Sequence, residues 1–199
     1  MTIDDFPQWI RNAVSSHQDL VGKFFETRLH DLVRVSEHLA GVVRKGGKLM
    51  FFGNGGSAAD AQHLASELVN RMGRDRRAIA ALSLVTDSSV LTSIANDSSY
   101  DQVFARQISA LGRPGDAAIG ISTSGRSENL LEGFREARRL GISTVGILGK
   151  QGGPALELVD HPLIVPGDDT QRIQEVHLIL GHLLCEMIER IVVPPDAGS

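Results

Sequence analysis

The residues best suited to chemistry fall in two helical stretches far apart in the chain. His63 and Glu67 are four residues apart in a run of helical periodicity, so an α-helix places the imidazole and the carboxylate on one face. In the second stretch, Gln174 and His182 are separated by about two helical turns, with His177 between them. A carboxylate beside an imidazole is what proton transfer next to a carbonyl requires. One group takes a proton from carbon while the other moves a proton on oxygen, each with a pKa set by its surroundings. The same side chains suit a divalent cation, with His63, Glu67 and His182 as ligands and Gln174 as a weaker oxygen donor. Spacing also allows a plainer reading, a solvent-facing His63–Glu67 pair contributing about a few tenths of a kcal/mol. All three stay open at this level.

Two short segments have the composition of an anion cradle. Gly53-Asn54-Gly55-Gly56-Ser57 and Ser122-Thr123-Ser124-Gly125-Arg126-Ser127 each lie between an apolar run and a helical pattern. Such loops present backbone N–H groups at a helix N-terminus, where unsatisfied donors and the helix dipole favour negative charge. The second adds the hydroxyls of Ser122, Thr123, Ser124 and Ser127. Gly53, Gly55 and Ala58 match a loose dinucleotide fingerprint, but that motif needs an acid about 20 residues on, at the end of the next strand. The run Ala78–Leu84 holds no Asp or Glu, and no Gly-Lys-Ser/Thr loop occurs. A phosphorylated small molecule therefore fits better than NAD or ATP.

The elements that must hold these groups alternate along the chain. Residues 6–45 read as two amphipathic helices, an N-terminal helical hairpin ended by Lys45, Gly46 and Gly47. Strands are expected at Leu49–Phe52, Ala78–Leu84, Asp116–Ile121, Ser143–Leu148 and Leu163–Val165. Helices are expected at Ala58–Arg71, within Ser88–Leu111, at Glu128–Leu140, and as one long segment from Thr170 to Val192 closed by Pro194 and Pro195. This alternation predicts a three-layer α/β/α sandwich on a five-stranded parallel sheet of the flavodoxin-like or Rossmann-like kind, in one domain. Residues 1–45 form its N-terminal helices and residues 46–193 its α/β core and C-terminal helix.

Composition narrows the function classes. With 24 acidic and 20 basic residues the net charge is −4, unlike a nucleic-acid platform. One cysteine, Cys185, rules out a disulfide framework and reads as a buried thiol, and no apolar run is long enough for a membrane span. A cytoplasmic protein with neither nucleic acid nor membrane as partner is expected. His17, His30, His38 and His161 are expected in solvent, and His177 is placed to support Gln174 from behind. The 21 glycines gather where strands end, the edge at which open α/β sheets bind ligands.

The run GNGGSAADAQHLASEL (Gly53–Leu68) resembles the phosphoheptose isomerases of the sugar-isomerase (SIS) fold. Thr86–Asp97, Phe104–Gly112, Ile121–Leu131 and Arg172–Glu189 are similar to the same family in order. The resemblance implies interconversion of sedoheptulose 7-phosphate and D-glycero-D-manno-heptose 7-phosphate, the first step toward nucleotide-activated heptose for bacterial surface glycans. It implies Glu67 and His182 as acid/base pair and zinc on His63, Glu67, Gln174 and His182. Sugar contacts fall on Asn54, Gly55, Gly56, Ser57, Glu67, Asn96, Asp97 and Gln174. Phosphate contacts fall on Ser122, Thr123, Ser124 and Ser127, in a homotetramer that shares its sites between subunits and packs through the N-terminal helices. Where the family often reads Asn-Asp-Tyr-Gly-Tyr, this chain has Asn96-Asp97-Ser98-Ser99-Tyr100, and Arg126 stands in a variable slot of the phosphate loop. Two rivals share the fold. One is a non-catalytic relative that binds the replication initiator protein and has a tail like Val193-Pro194-Pro195, but tends to lose the glutamate and last histidine kept here. The other is an isomerase of arabinose 5-phosphate, which commonly carries an appended region.

Overall fold

The computed structural model describes residues 2–73 and 75–193 and turns the apolar runs into strands β1 (Leu49–Gly53), β2 (Ala81–Ser83), β3 (Ala117–Ser122), β4 (Ser143–Gly149) and β5 (His161–Val165). Helices α1 (Phe6–Arg44), α2 (Gly56–Val69), α3 (Ser88–Asp97), α4 (Val103–Leu111), α5 (Glu128–Arg139) and α6 (Thr170–Val192) flank and alternate with them. The strands form one parallel five-stranded sheet in the order β2-β1-β3-β4-β5. Parallel pairing demands crossovers, and crossovers cover both faces, which is why β1 and β3 are buried at every position.

Alternation along the strands sorts the core into two layers. Leu49, Phe51, Ile119, Ile121, Val145 and Ile147 pack with α1, α2 and α6 on one face. Met50, Phe52, Ala118 and Leu148 pack with α4 and α5 on the other, around Phe104 and Phe134. The strand order reverses at β1, whose neighbours are β2 and β3. Crevices open at such a reversal, outside the carboxyl ends of the strands.

The N-terminal hairpin is corrected to one helix. α1 runs unbroken for 39 residues, about 58 Å at 1.5 Å per residue. A hairpin needs a turn, and the midpoint offers only Gly22, which a helix tolerates at a cost of about 1 kcal/mol. The helix is instead held by burial from Leu20 onward, through Leu20, Phe24, Leu32, Val35 and Leu39. Its first turns reach past the sheet, leaving Phe6, Trp9, Ile10 and Val14 exposed.

Other elements move less. β2 contracts to Ala81–Ser83, and Ser88–Leu111 divides into α3, a 3₁₀ turn at Tyr100–Gln102 and α4. Two of the histidines expected in solvent are engaged at the amino edge of the sheet. The His38 and His161 rings stack with centroids 4.1 Å apart, and His38 Nε2 lies 3.0 Å from Ser143 Oγ. His17 also has a partner, with Nδ1 2.8 Å from a Glu175 carboxylate oxygen. Cys185 is buried as expected, and burial pushes its thiol up to about 12. The expected helix stop at Pro194 and Pro195 lies outside the described residues. Among those described, no helix is long and apolar enough to cross a membrane.

If burial from Leu20 onward is what holds α1, Phe24→Ala is expected to cost about 3–5 kcal/mol in denaturant unfolding, since Phe24 is fully buried in the core layer that α1 shares with the sheet. A loss below about 1 kcal/mol would remove α1 from the core.

Candidate active site

The two loops with cradle composition follow β1 and β3, the strands at the reversal, and pairing of Gly53 with Ile121 sets them level. Their crossovers leave toward opposite faces, α2 to one and α5 to the other. Each loop therefore ends at a helix N-terminus facing the same crevice. Within the first, α2 begins at Gly56 and buries Ser57. Gly56 lies directly beneath Gln174, since a Cβ there would stand 2.1 Å from its amide nitrogen and push that side chain aside. The glycine thus lets α6 lay Gln174 directly over the start of α2.

The second loop is braced from beneath. Gly125 adopts φ +63°, and a Cβ on it would lie 1.9 Å from the Gly152 carbonyl oxygen, so only glycine fits both the turn and the approach. Ser122 Oγ accepts from the Gly125 N–H at 2.9 Å, while the Gly125 carbonyl accepts from Ala155 N–H at 3.1 Å. Ser122 thus spends its acceptor capacity on the loop itself and keeps its O–H to donate. Thr123 and Ser124 are half-buried, and Ser127 opens α5 with no side-chain cap bond of its own.

An amide pair between buried Asn129 and half-buried Asn54 ties the loops together. Asn54 Nδ2 donates to Asn129 Oδ1 and Asn129 Nδ2 donates to Asn54 Oδ1, both at 2.8 Å. Tyr100, exposed at the rim, donates its hydroxyl to Asn54 Oδ1 at 3.1 Å. Asn129 and Tyr100 were not anticipated from sequence. A cross-loop amide pair leaves no local pattern, whereas Tyr100 had a signal in its place after Asn96-Asp97.

The helical pair and the C-terminal histidine do come together. His63 Nε2 lies 2.8 Å from His182 Nε2, the rings meeting edge to face, and Glu67 Oε1 lies 3.7 Å from His63 Nε2. Two ring nitrogens at that distance share one proton, so one imidazole donates and the other accepts. The cluster is open, with the His63 side chain 43% exposed and Glu67 22%. Asp60, one turn before His63, is a further acid not anticipated, although its spacing puts it on the same face. Burial raises its pKa, while a hydrogen bond from Gln174 Nε2 at 3.4 Å and the charge of His63 work against that rise.

Other expected members do not join. Asn96 and Asp97 end α3, exposed and bonded to each other at 2.8 Å, and no hydrogen bond among the described residues links either side chain to the loops. His177 does not support Gln174. It is 1% exposed, neither ring nitrogen has a hydrogen-bond partner among the described residues, and burial lowers its pKa to about 4 against the smaller opposing effect of the Leu148 backbone. As for metal, His63, Glu67 and His182 offer two nitrogens and an oxygen of the right kind. Among the described residues, however, no group of three or more His, Cys, Asp or Glu side chains is arranged to hold a metal ion. Gln174 is turned toward Asp60 and Gly56.

The SIS domain family model matches residues 14–149. A phosphoheptose isomerase of Roseiflexus sp. is 47% identical over 94% of this chain and 95% of its own. One of Paramagnetospirillum magneticum is 56% identical over 75% of this chain and 78% of its own. The structure of phosphoheptose isomerase GmhA from Neisseria gonorrhoeae superposes with a TM-score of 0.88 at 35% identity, covering 92% of this chain and 98% of that one.

His177 gives the core beside the site a measurable acid response. Its ring is held at about 4 when folded against 6.5 ordinarily, so the unfolded chain takes up the proton first. The neutral ring's contribution is intact above about pH 6.5 and is lost as pH falls toward 4, a change of about 3 kcal/mol. Urea unfolding at pH 7, 5.5 and 4.5 is expected to show this slope in the natural protein and a shallower one in His177→Leu. Equal slopes would refute the assignment.

Proposed function

The chain belongs to the SIS-domain family, among the phosphoheptose isomerases, and from that premise we propose that it interconverts sedoheptulose 7-phosphate and D-glycero-D-manno-heptose 7-phosphate through an enediol(ate). One observation carries the reading: a cradle of amides and hydroxyls at the strand reversal, together with an imidazole–carboxylate cluster on the helices that leave and cover it. The Ser122–Ser127 loop and the α5 N-terminus take the phosphate, and the Asn54 amide, fixed by Asn129, orients the sugar. Holding the far end spends remote binding energy on orienting the reacting carbons. Glu67 moves the proton between C1 and C2. His182 moves the oxygen-bound proton, with His63 in contact to share it. Asn96 and Asp97 take sugar hydroxyls from the rim.

The proposed assembly shares its sites between copies. Glu67 is about three turns along α2 from Gly56, roughly 16 Å along the axis. The proposed site combines the phosphate loop of one copy with the Glu67–His182 cluster of another. The exposed stripe Phe6, Trp9, Ile10 and Val14 on α1 supplies an apolar contact for a homotetramer. Zinc is a further proposal, held by His63, Glu67 and His182 with Gln174 turning in. When bound, it would polarise the substrate carbonyl as a Lewis acid. The place of action is the cytoplasm, since a charged sugar phosphate does not cross lipid unaided. For the initiator-binding alternative the relatives offer no support, and Pro194 and Pro195 lie outside the described residues.

Proton NMR of the protein with sedoheptulose 7-phosphate is expected to show aldose signals appearing. In deuterated solvent, Glu67→Gln should abolish exchange of the C1/C2 hydrogen while substrate still binds. Undiminished exchange removes Glu67 as the base. For the metal, elemental analysis of purified protein is expected to find zinc that His63→Ala with His182→Ala abolishes, and zinc retained in that variant sinks the ligand set.

A further inference from the structure

Helices α2 and α6, which carry Glu67 and His182, run side by side in the same direction and touch at successive levels. Near their starts Gln174 rests on Gly56 and Asp60. Midway, Gly181 packs so tightly against Leu64 that a Cβ on it would meet that side chain at 2.6 Å. Beyond Glu67 and His182 lies an ion pair sealed from solvent, with Arg76 Nε 2.7 Å from Glu189 Oε2 and side chains 0% and 3% exposed.

The remaining donors of Arg76 go to backbone carbonyls, three at the end of α2 and one on Arg77. Nη2 donates to the carbonyl oxygen of Glu67 at 2.9 Å, and Nη1 donates to those of Leu68 at 2.8 Å and Asn70 at 3.3 Å. These are the carbonyls a helix leaves unsatisfied at its C-terminus. Glu189 in turn accepts from the Met72 N–H at 3.3 Å. It lies about two turns beyond His182 on α6, on the same side. One guanidinium thus grips the backbone of Glu67 and, through Glu189, the helix that carries His182.

A buried ion pair is poor insurance for stability, because desolvation offsets most of the attraction and an apolar pair of like volume often serves as well. An apolar pair cannot bond three carbonyls and fix helix register. From this we infer that Arg76 and Glu189 are positioning residues, which hold Glu67 and His182 at their working separation by locking α2 against α6. The inference rests on the isomerase reading, in which those two side chains move the protons.

The decisive variant is Arg76→Met with Glu189→Leu, which removes both charges while keeping apolar bulk, with Arg76→Lys as the conservative control. Expected for the double variant is a cooperative unfolding transition, kcat down at least tenfold, KM for sedoheptulose 7-phosphate within twofold, and displaced ring-carbon NMR signals of His63 and His182. Arg76→Lys, which keeps the charge and one donor set, is expected to recover part of kcat. The inference is overturned by a double variant with kcat within twofold of the natural protein, by unmoved ring signals, or by one that fails to fold, since the pair would then be structural. If the natural protein does not turn over the substrate, the isomerase reading fails, and the ring signals alone still decide whether the pair sets the register.

Discussion

Strand β1 has β2 on one side and β3 on the other, and that single reversal of order decides where chemistry can occur. Because the chain leaves β1 toward one face and β3 toward the other, two helix N-termini converge on one crevice from opposite sides. The glycines follow from this convergence. Where two backbones and a helix start must meet, a side chain on Gly56 would collide with Gln174, and one on Gly125 with the Gly152 carbonyl. The amide pair of Asn54 and Asn129 then closes the gap that the reversal opens, each side chain satisfying the other.

The crevice explains how an acidic chain can take an anionic ligand. A net charge of −4 provides no attractive field, and the cradle needs none, since oriented N–H groups and hydroxyls present partial positive charge at contact range. Buried charge elsewhere is arranged with similar economy. Burial alone would raise the Glu189 carboxyl, yet its hydrogen bonds from Arg76 and the Met72 amide, with the Arg76 charge, hold it below the ordinary range. Asp60 has only the Gln174 amide and the distant charge of His63 to set against burial, and moves the other way. Two carboxylates against the same helix pair are thus driven apart by what faces them.

The centre of the sheet was readable from sequence because β1 and β3 are buried at every position, so that a strand such as Leu49–Phe52 appears as an uninterrupted apolar run. The loops were readable because their glycines and hydroxyls are adjacent in the chain. What escaped had no such local signature. Asp60 counted as one more polar helix residue until Gln174 from a distant helix was laid on it. His177 looked like a partner for Gln174 at helical spacing, but the rotation of α6 against the sheet turned it into the core. The supposed hairpin failed for the opposite reason. The amphipathic pattern of residues 6–45 is real, but a pattern shows which face is buried, whereas a break needs residues that stop a helix, and Gly22 alone does not.

The direction of α2 has a consequence for how the site is completed. A crossover helix must run antiparallel to its strands, so α2 carries whatever lies late in its sequence away from the loop at its start. His63 and Glu67 are therefore displaced from the cradle by the same topology that builds it, while α6, running alongside, brings His182 to them at 2.8 Å. The cradle and the imidazole–carboxylate cluster are separated along one helix axis, and the cluster lies open to solvent. The 39-residue helix α1 likewise leaves Phe6, Trp9, Ile10 and Val14 exposed at its N-terminal end while its later turns are buried.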